Sequence, residues 1–531
     1  MTAFTGTRAL VRLALRRDRI ILPVWIVLLA ALPASGAGAY EEFYPTAADR
    51  AALAAGTASN PSVSLMYGRA FDVTTLGGFI AWRYGVIIAL FTALLAIFMV
   101  TRHTRAEEDT GRLELIGSTV AGRYAALTAA AIVSAGTGLA IGLLITLTLI
   151  GNKAPAGGAV ALGLGIAAAA LVFTGVAVVT AQLTEYSRTA NGLASAVLGA
   201  AFLLRAVGDS TTGATWLSWL SPLGWTSQVR AFAGERWWVP GMALAVAVIL
   251  GVVGYRLVPL RDVGAGLLPP RPGPARAAAS LRSPLGLAAR LQRGSLVAWV
   301  AGAAVIGGVF GSIASGVGDL VGDNEQVRKT LEGIGGASGL VNAFLATMAG
   351  LYGLMAAAYG VQATLRMRTE EIAFRAEPVL ATGVSRWRYT FSHLTFALLG
   401  GALILAAAGV ATGLSHGLRS GDIGQFWPVL GGALAQLPAA WVVAGIATVL
   451  FGLVPRVTTA AWAALTVFLL LSWFGALLKL PQAVLDVSPF THVPRLPGTA
   501  FTATPILWLT AIAVVALAAG LVGFRRRDVV A

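Results

Sequence analysis

Charged side chains able to do chemistry are concentrated in one segment that occurs twice. Arg105-Ala-Glu107-Glu108-Asp-Thr-Gly111-Arg112-Leu-Glu114 aligns without gaps on Arg368-Thr-Glu370-Glu371-Ile-Ala-Phe374-Arg375-Ala-Glu377, and Arg123 then falls on Arg386. Acids and bases at this density suit ion pairing or docking. Glu108 with Arg112, and Glu371 with Arg375, have the i,i+4 spacing that supports a short helix by a few tenths of a kcal/mol per pair. Membrane topology by itself asks only for basic residues, so acids recurring in register in both copies point to a further role.

Catalysis by this chain is not expected. It has no cysteine, and its four histidines (His103, His393, His416 and His492) are scattered rather than set at ligand spacing, so no metal site is expected. Paired carboxylates, a His-Glu-x-x-His motif and a nucleophile constellation are all missing. A phosphate-binding loop needs Gly-x-x-x-x-Gly-Lys-Ser/Thr, and the three lysines, Lys153, Lys329 and Lys479, lie in none. The reading is therefore no catalytic, cofactor-binding or metal-binding residue, and no enzyme. A net charge of +15 could suggest nucleic acid, but the basic residues sit in short segments between apolar runs, not over a wetted face.

Those apolar runs position the charged segments. Of the 531 residues, 57% are hydrophobic and only 11% charged, with a mean hydropathy of +0.78. A helix needs ~20 apolar residues to cross a ~30 Å hydrocarbon core. Runs of that length predict about 12 transmembrane helices and an all-α membrane protein. With the N-terminus inside, the whole net charge falls on one face, which by the positive-inside rule places both termini in the cytoplasm. Arg8, Arg12, Arg16 and Arg19 recur beside Leu10, Val11, Leu13 and Leu15, predicting an amphipathic elbow helix over 8–19 in the cytoplasmic interface. The first span could be misread as a cleaved signal, but it is long for one and has a mid-chain counterpart. Arg205, Arg83 and Lys479 lie near outer span ends and are expected to snorkel as interfacial anchors.

Further anchors extend the repeat: Leu13-Ala14-x-Arg16-x-x-Arg19 with Leu287-Ala288-x-Arg290-x-x-Arg293, Ser221-Pro222 with Ser488-Pro489, and Arg261-Asp262-Val263 with Arg527-Asp528-Val529. Six spans per copy is an even number, so the copies are expected as two parallel six-helix repeats. The reading is a first half over 1–257 with a charged helix at about 104–118, a Pro-rich cytoplasmic linker over 258–284, and a second half over 285–531 with its charged helix at about 367–381.

These charged segments, with the Ser221-Pro222-Leu223-Gly224-Trp225 stretch before the sixth span, resemble the permeases of the type-two export class of ABC transporters. The likeness is to the double-length actinobacterial exporters of polyketide antibiotics, the tetronasin-resistance type. The second copy departs from the motif, with Phe374 in place of Gly111 and Pro378 after Glu377. The resemblance implies that Arg105, Glu107, Glu108, Arg112, Glu114 and Arg123, and Arg368, Glu370, Glu371, Arg375, Glu377 and Arg386, form coupling helices for a separate ATP-binding subunit. Two copies of that subunit, a homodimer, would hold the ATP and Mg. The resemblance further implies the bacterial cytoplasmic membrane, export of hydrophobic or amphiphilic compounds such as polyketide antibiotics, drugs or lipids, and a path between the halves. Candidates for that path are Trp25, Phe91, Phe98, Phe202, Trp462, Phe468 and Phe474. Trp216, Trp219, Trp225, Trp237 and Trp238 read either as an aromatic belt or as short gate helices. The rival class is a proton-coupled secondary multidrug transporter, which usually needs an ionisable group inside the membrane. None of the 23 acids is placed in mid-span.

Overall fold

Long apolar stretches uninterrupted by charge become long helices because only a helix satisfies its own backbone in hydrocarbon. The computed structural model describes residues 2–58, 61–117, 120–211, 213–269, 273–319, 336–474 and 481–528. Among them are 11 helices long and apolar enough to cross a membrane. The protein is an all-α, multi-pass membrane protein. The expected eleventh span, Thr458 to Leu477, is represented by a 15-residue helix, Ala460–Phe474; the rest of that run lies outside the described residues. The chain divides into two units, Met1–Gly273 and Pro274–Ala531.

In the first unit the spans are Ile21–Phe43, Leu76–Arg102, Ala125–Gly151, Ala156–Leu183, Ser187–Ser210 and Trp238–Leu257. The fourth is the most enclosed, packing against the second, third and sixth. Small residues permit this approach. A Cβ added at Gly142 would stand 2.4 Å from the Gly163 carbonyl oxygen, so glycine lets the third and fourth backbones touch.

In the second unit the seventh span, Pro284–Asp319, packs on the ninth, Arg386–Ser420. The eighth, Gly336–Ile372, lies against the ninth and the tenth, while the twelfth, Ala503–Arg526, lies along the tenth. The tenth is broken into Phe426–Leu434 and Leu437–Leu453. Pro438, which cannot donate to the preceding turn, follows the break.

The elbow forms as Thr7–Arg17, with Ala14 buried. It ends at Asp18, whose buried carboxylate takes His103 at 2.6 Å and Arg102 at 3.1 Å. The matching stretch of the second unit carries no such break. There Gln292 contacts His393 at 3.2 Å, and the helix runs on as one 36-residue element.

The linker is also more ordered at its start than its proline content suggests. Leu267 and Leu268 donate backbone hydrogen bonds to Gln182 and Leu183, pinning the chain to the end of the fourth span. Residues 270–272, within the Pro-rich run, lie outside the described residues.

Candidate coupling site

The charged segment begins where the second span ends. Arg105 opens a short helix, Arg105–Asp109, and its side chain is fully buried. It donates to the Ala181 carbonyl, to the Ala265 carbonyl at 2.8 Å and to Glu108 Oε2 at 2.7 Å. A cation is thereby seated on the free carbonyl end of the fourth span, where the helix dipole favours it. Glu108, itself 4% exposed, takes both arms of Arg261, Nη1 on Oε2 at 2.8 Å and Nη2 on Oε1 at 2.7 Å. The backbone N–H of Gly264 donates to the same carboxylate at 3.2 Å, and Arg261 Nε donates to Gln182 Oε1 at 2.7 Å. The ends of spans two, four and six are joined through one carboxylate.

The second unit repeats the arrangement. Glu371, 2% exposed, pairs with Arg368 at 3.1 Å and takes both arms of Arg527 at 2.6 and 2.9 Å. Arg527 also lies over the rings of Phe451 and Phe524. In both units an arginine at the start of the following span closes the last turn of the sixth helix of its half. Arg123 donates to the carbonyls of Val258 and Arg261 at 3.3 and 3.4 Å. Arg386 donates to those of Phe524, Arg525 and Arg527. Such buried, two-point arginine–carboxylate pairs fix orientation as well as energy.

The bend that follows is shared despite the different residues. Gly111 has φ 70° and Phe374 has φ 55°. Each N–H closes the same turn, onto the Glu108 carbonyl at 2.9 Å and the Glu371 carbonyl at 3.0 Å. Six-residue helices follow in both units, Arg112–Gly117 and Ala376–Ala381. Pro378 is tolerated because it sits in the first turn, where its missing N–H has no partner to lose.

This geometry corrects the expected local pairs. One continuous charged helix over 104–118, with Glu108 on Arg112 and Glu371 on Arg375, is not what forms. The left-handed bend ends the helical register between the partners, so the i,i+4 spacing no longer brings them together. Arg112 lies 3.8 Å from Glu107, which also bonds Arg17 of the elbow. Arg375 bonds Glu370 at 2.7 Å, and this hydrogen bond holds its guanidinium above the ordinary arginine range. Glu370 additionally meets Arg366 at 2.8 Å. Residue 118 lies outside the described residues.

The buried members, Arg105, Glu108 and Glu371, hold the loop to its own unit. Arg112, Glu114 and Leu115 in the first unit, and Ile372, Phe374, Arg375 and Glu377 in the second, are exposed. The sequence reading missed the roles of Arg261 and Arg527, although both stand in its Arg-Asp-Val repeat anchor.

The path candidates do not behave as a set. Phe468 is buried in the core of the second unit; Trp25 and Phe202 pack against the core of the first. Phe91, Phe98 and Trp462 are exposed. The Phe474 side chain lies outside the described residues. Arg205, expected to snorkel, is instead fully buried: it lies over Phe202, donates to the Leu65 carbonyl at 3.1 Å and stands 3.7 Å from Asp209. The helix Pro61–Tyr67, ahead of the second span, packs on the fifth span and takes the Arg205 side chain, which removes the route to the interface. Arg83 stacks on Tyr67, 4.2 Å from the ring centre, while Lys479 lies outside the described residues. Trp216 to Trp219 and Pro222 to Gln228 do form short helices, with Trp219 stacked on Trp238 at 5.3 Å.

A family model described as "Multidrug efflux system permease Rv1217c, C-terminal domain" matches residues 8–256 and 281–525. The multidrug efflux system permease protein Rv1217c of Mycobacterium tuberculosis is 46% identical over 530 residues, covering 99% of this chain and 96% of the relative.

Proposed function

Given that the chain belongs to the multidrug efflux system permease family of Rv1217c, we propose that it is the membrane-spanning subunit of an ATP-driven ABC exporter. Two copies of a separate ATP-binding subunit would seat on the exposed faces of the short helices Arg112–Gly117 and Ala376–Ala381. ATP and Mg belong to that partner. The charged ends of both units face the cytoplasm of a bacterial cell, and the protein lies in its cytoplasmic membrane. Closure of the partner dimer displaces the short helices. Arg105, Glu108 and Arg261, with Arg368, Glu371 and Arg527, then carry that displacement into the long spans. Cargo is hydrophobic or amphiphilic, of the drug or polyketide antibiotic kind.

The observation that carries this reading is the duplicated clamp. A loop that only set topology would need no buried carboxylate bonded to an arginine from the far end of its half, still less two of them. The testing experiment is quantitative mass spectrometry of the complex purified from its host membrane. Two ATPase chains per permease chain support the reading; equal numbers of the two chains contradict it.

A further inference from the structure

The second unit contains a cavity of about 540 Å³ at the end away from Glu371, a size common among small-molecule sites. One face of the eighth span forms a wall, with Asn342, Ala346, Gly350 and Leu354 one turn apart. Opposite stand Gln436 at the break of the tenth span and Phe490. A Cβ at Gly353 would come within 2.9 Å of Gln436 and 3.1 Å of Phe490, so this glycine lets both close onto the eighth span and fixes their position. Gln436 is 5% exposed, and its amide oxygen has no hydrogen-bond partner among the described residues. An amide left so in an apolar setting costs free energy unless something pairs with it. Broken membrane helices mark binding sites in other transporters for the same reason, because they expose polar groups at depth.

The corresponding place in the first unit is nearly closed. Between its second span and the stretch after Ser221-Pro222 only about 30 Å³ remains, lined by Trp82, Thr226 and Arg230 among others. The fourth span there runs unbroken from Ala156 to Leu183.

We propose that this cavity, far larger than the pocket at the corresponding place in the first unit, is a binding site for a neutral or anionic amphiphile with an aromatic body and a hydrogen-bonding group. The apolar body lies along Ala346, Leu354 and Phe490, and the polar group meets Gln436, Asn342 and Thr347. Among the described residues of the lining Arg495 is the charged one and none is an acid; a cationic amphiphile is disfavoured. The proposal rests on the multidrug exporter reading, but its test does not involve ATP.

Because the chain has no cysteine, a single thiol can report occupancy. Thr347→Cys in the full chain is labelled with a maleimide in membranes, with and without N-phenyl-1-naphthylamine, a neutral amphiphile with one N–H donor. Labelling is expected to slow about fivefold at a probe concentration of about four times its Kd. The added substitution Gly350→Leu, which projects into space open at present, abolishes the protection. Ala81→Cys, in the small first-unit counterpart, is not protected. The anionic analogue 8-anilinonaphthalene-1-sulfonate protects at lower concentration than the neutral probe, a preference lost in Arg495→Gln. An unprotected Thr347→Cys thiol, or equal protection at Ala81→Cys, overturns the site. Protection without ATP-driven export leaves the site standing and removes the exporter reading instead.

Discussion

Glu108 and Arg261, 153 positions apart in sequence, meet through two parallel hydrogen bonds of 2.7 and 2.8 Å, buried where the ends of three spans converge. Removing Arg261 leaves the Glu108 carboxylate with Arg105 and the Gly264 N–H as its partners, so the cost falls below the about 3–5 kcal/mol of a buried charge left wholly unpaired. Arg261→Ala is expected to lower the thermal midpoint of the purified protein and abolish export. Arg261→Lys keeps the charge but loses the fork, so an intermediate defect is expected. Thermal unfolding in detergent, read beside drug resistance in cells, checks both.

Gly111 and Phe374 occupy the same bend with very different intrinsic preferences. A left-handed backbone costs a residue with a Cβ about 1–2 kcal/mol, and glycine nothing. Gly111→Ala should therefore destabilise by about 1 kcal/mol and Phe374→Gly should stabilise by a similar amount. Because Phe374 is 60% exposed, removal of its ring is also expected to weaken partner docking. A raised unfolding midpoint together with poorer ATPase co-purification is the expected pattern for Phe374→Gly.

Arg205 and Asp209 form a buried pair that the first unit encloses completely. Arg205→Leu leaves the Asp209 carboxylate with Ser218 as its hydrogen-bond partner, and should cost about 3–5 kcal/mol. Replacing both residues by leucine should recover most of that loss. Detergent-solubilised yield and thermal unfolding of the two single variants and the double variant measure the coupling.

At Gly142 the third span touches the fourth through backbone atoms. Gly142→Val must force the helices apart, so a non-native, aggregation-prone chain is expected on size-exclusion chromatography. Gly136→Ala, on the same helix where an added Cβ meets open space, should behave as the unmodified protein.

Much of the fold was legible because hydropathy over long runs decides membrane spans almost alone. The candidate site was legible only as far as local rules reach. Glu107, Glu108, Glu370 and Glu371 were found by their repetition, yet Glu108 and Glu371 were assigned the arginines four positions on, Arg112 and Arg375, as partners. The true partners of the buried carboxylates, Arg261 and Arg527, arrive from the far end of each half, and no local spacing announces a contact of that kind. The bend at Phe374 was hidden because phenylalanine carries no turn preference. Arg205 was misread for a related reason: whether an arginine near a span end reaches water depends on what covers it, here the chain around Leu65 and Met66.

The central claim is that the clamps pass the partner's ATP-driven motion into the spans. It is tested most directly by drug uptake into inside-out proteoliposomes that hold the permease with its ATPase, comparing the unmodified chain with the isosteric Glu108→Gln/Glu371→Gln. The account predicts ATP-dependent uptake by the first and ATP hydrolysis without uptake by the second. Uptake by the unmodified permease alone, driven by an imposed pH gradient with no ATPase present, would contradict it.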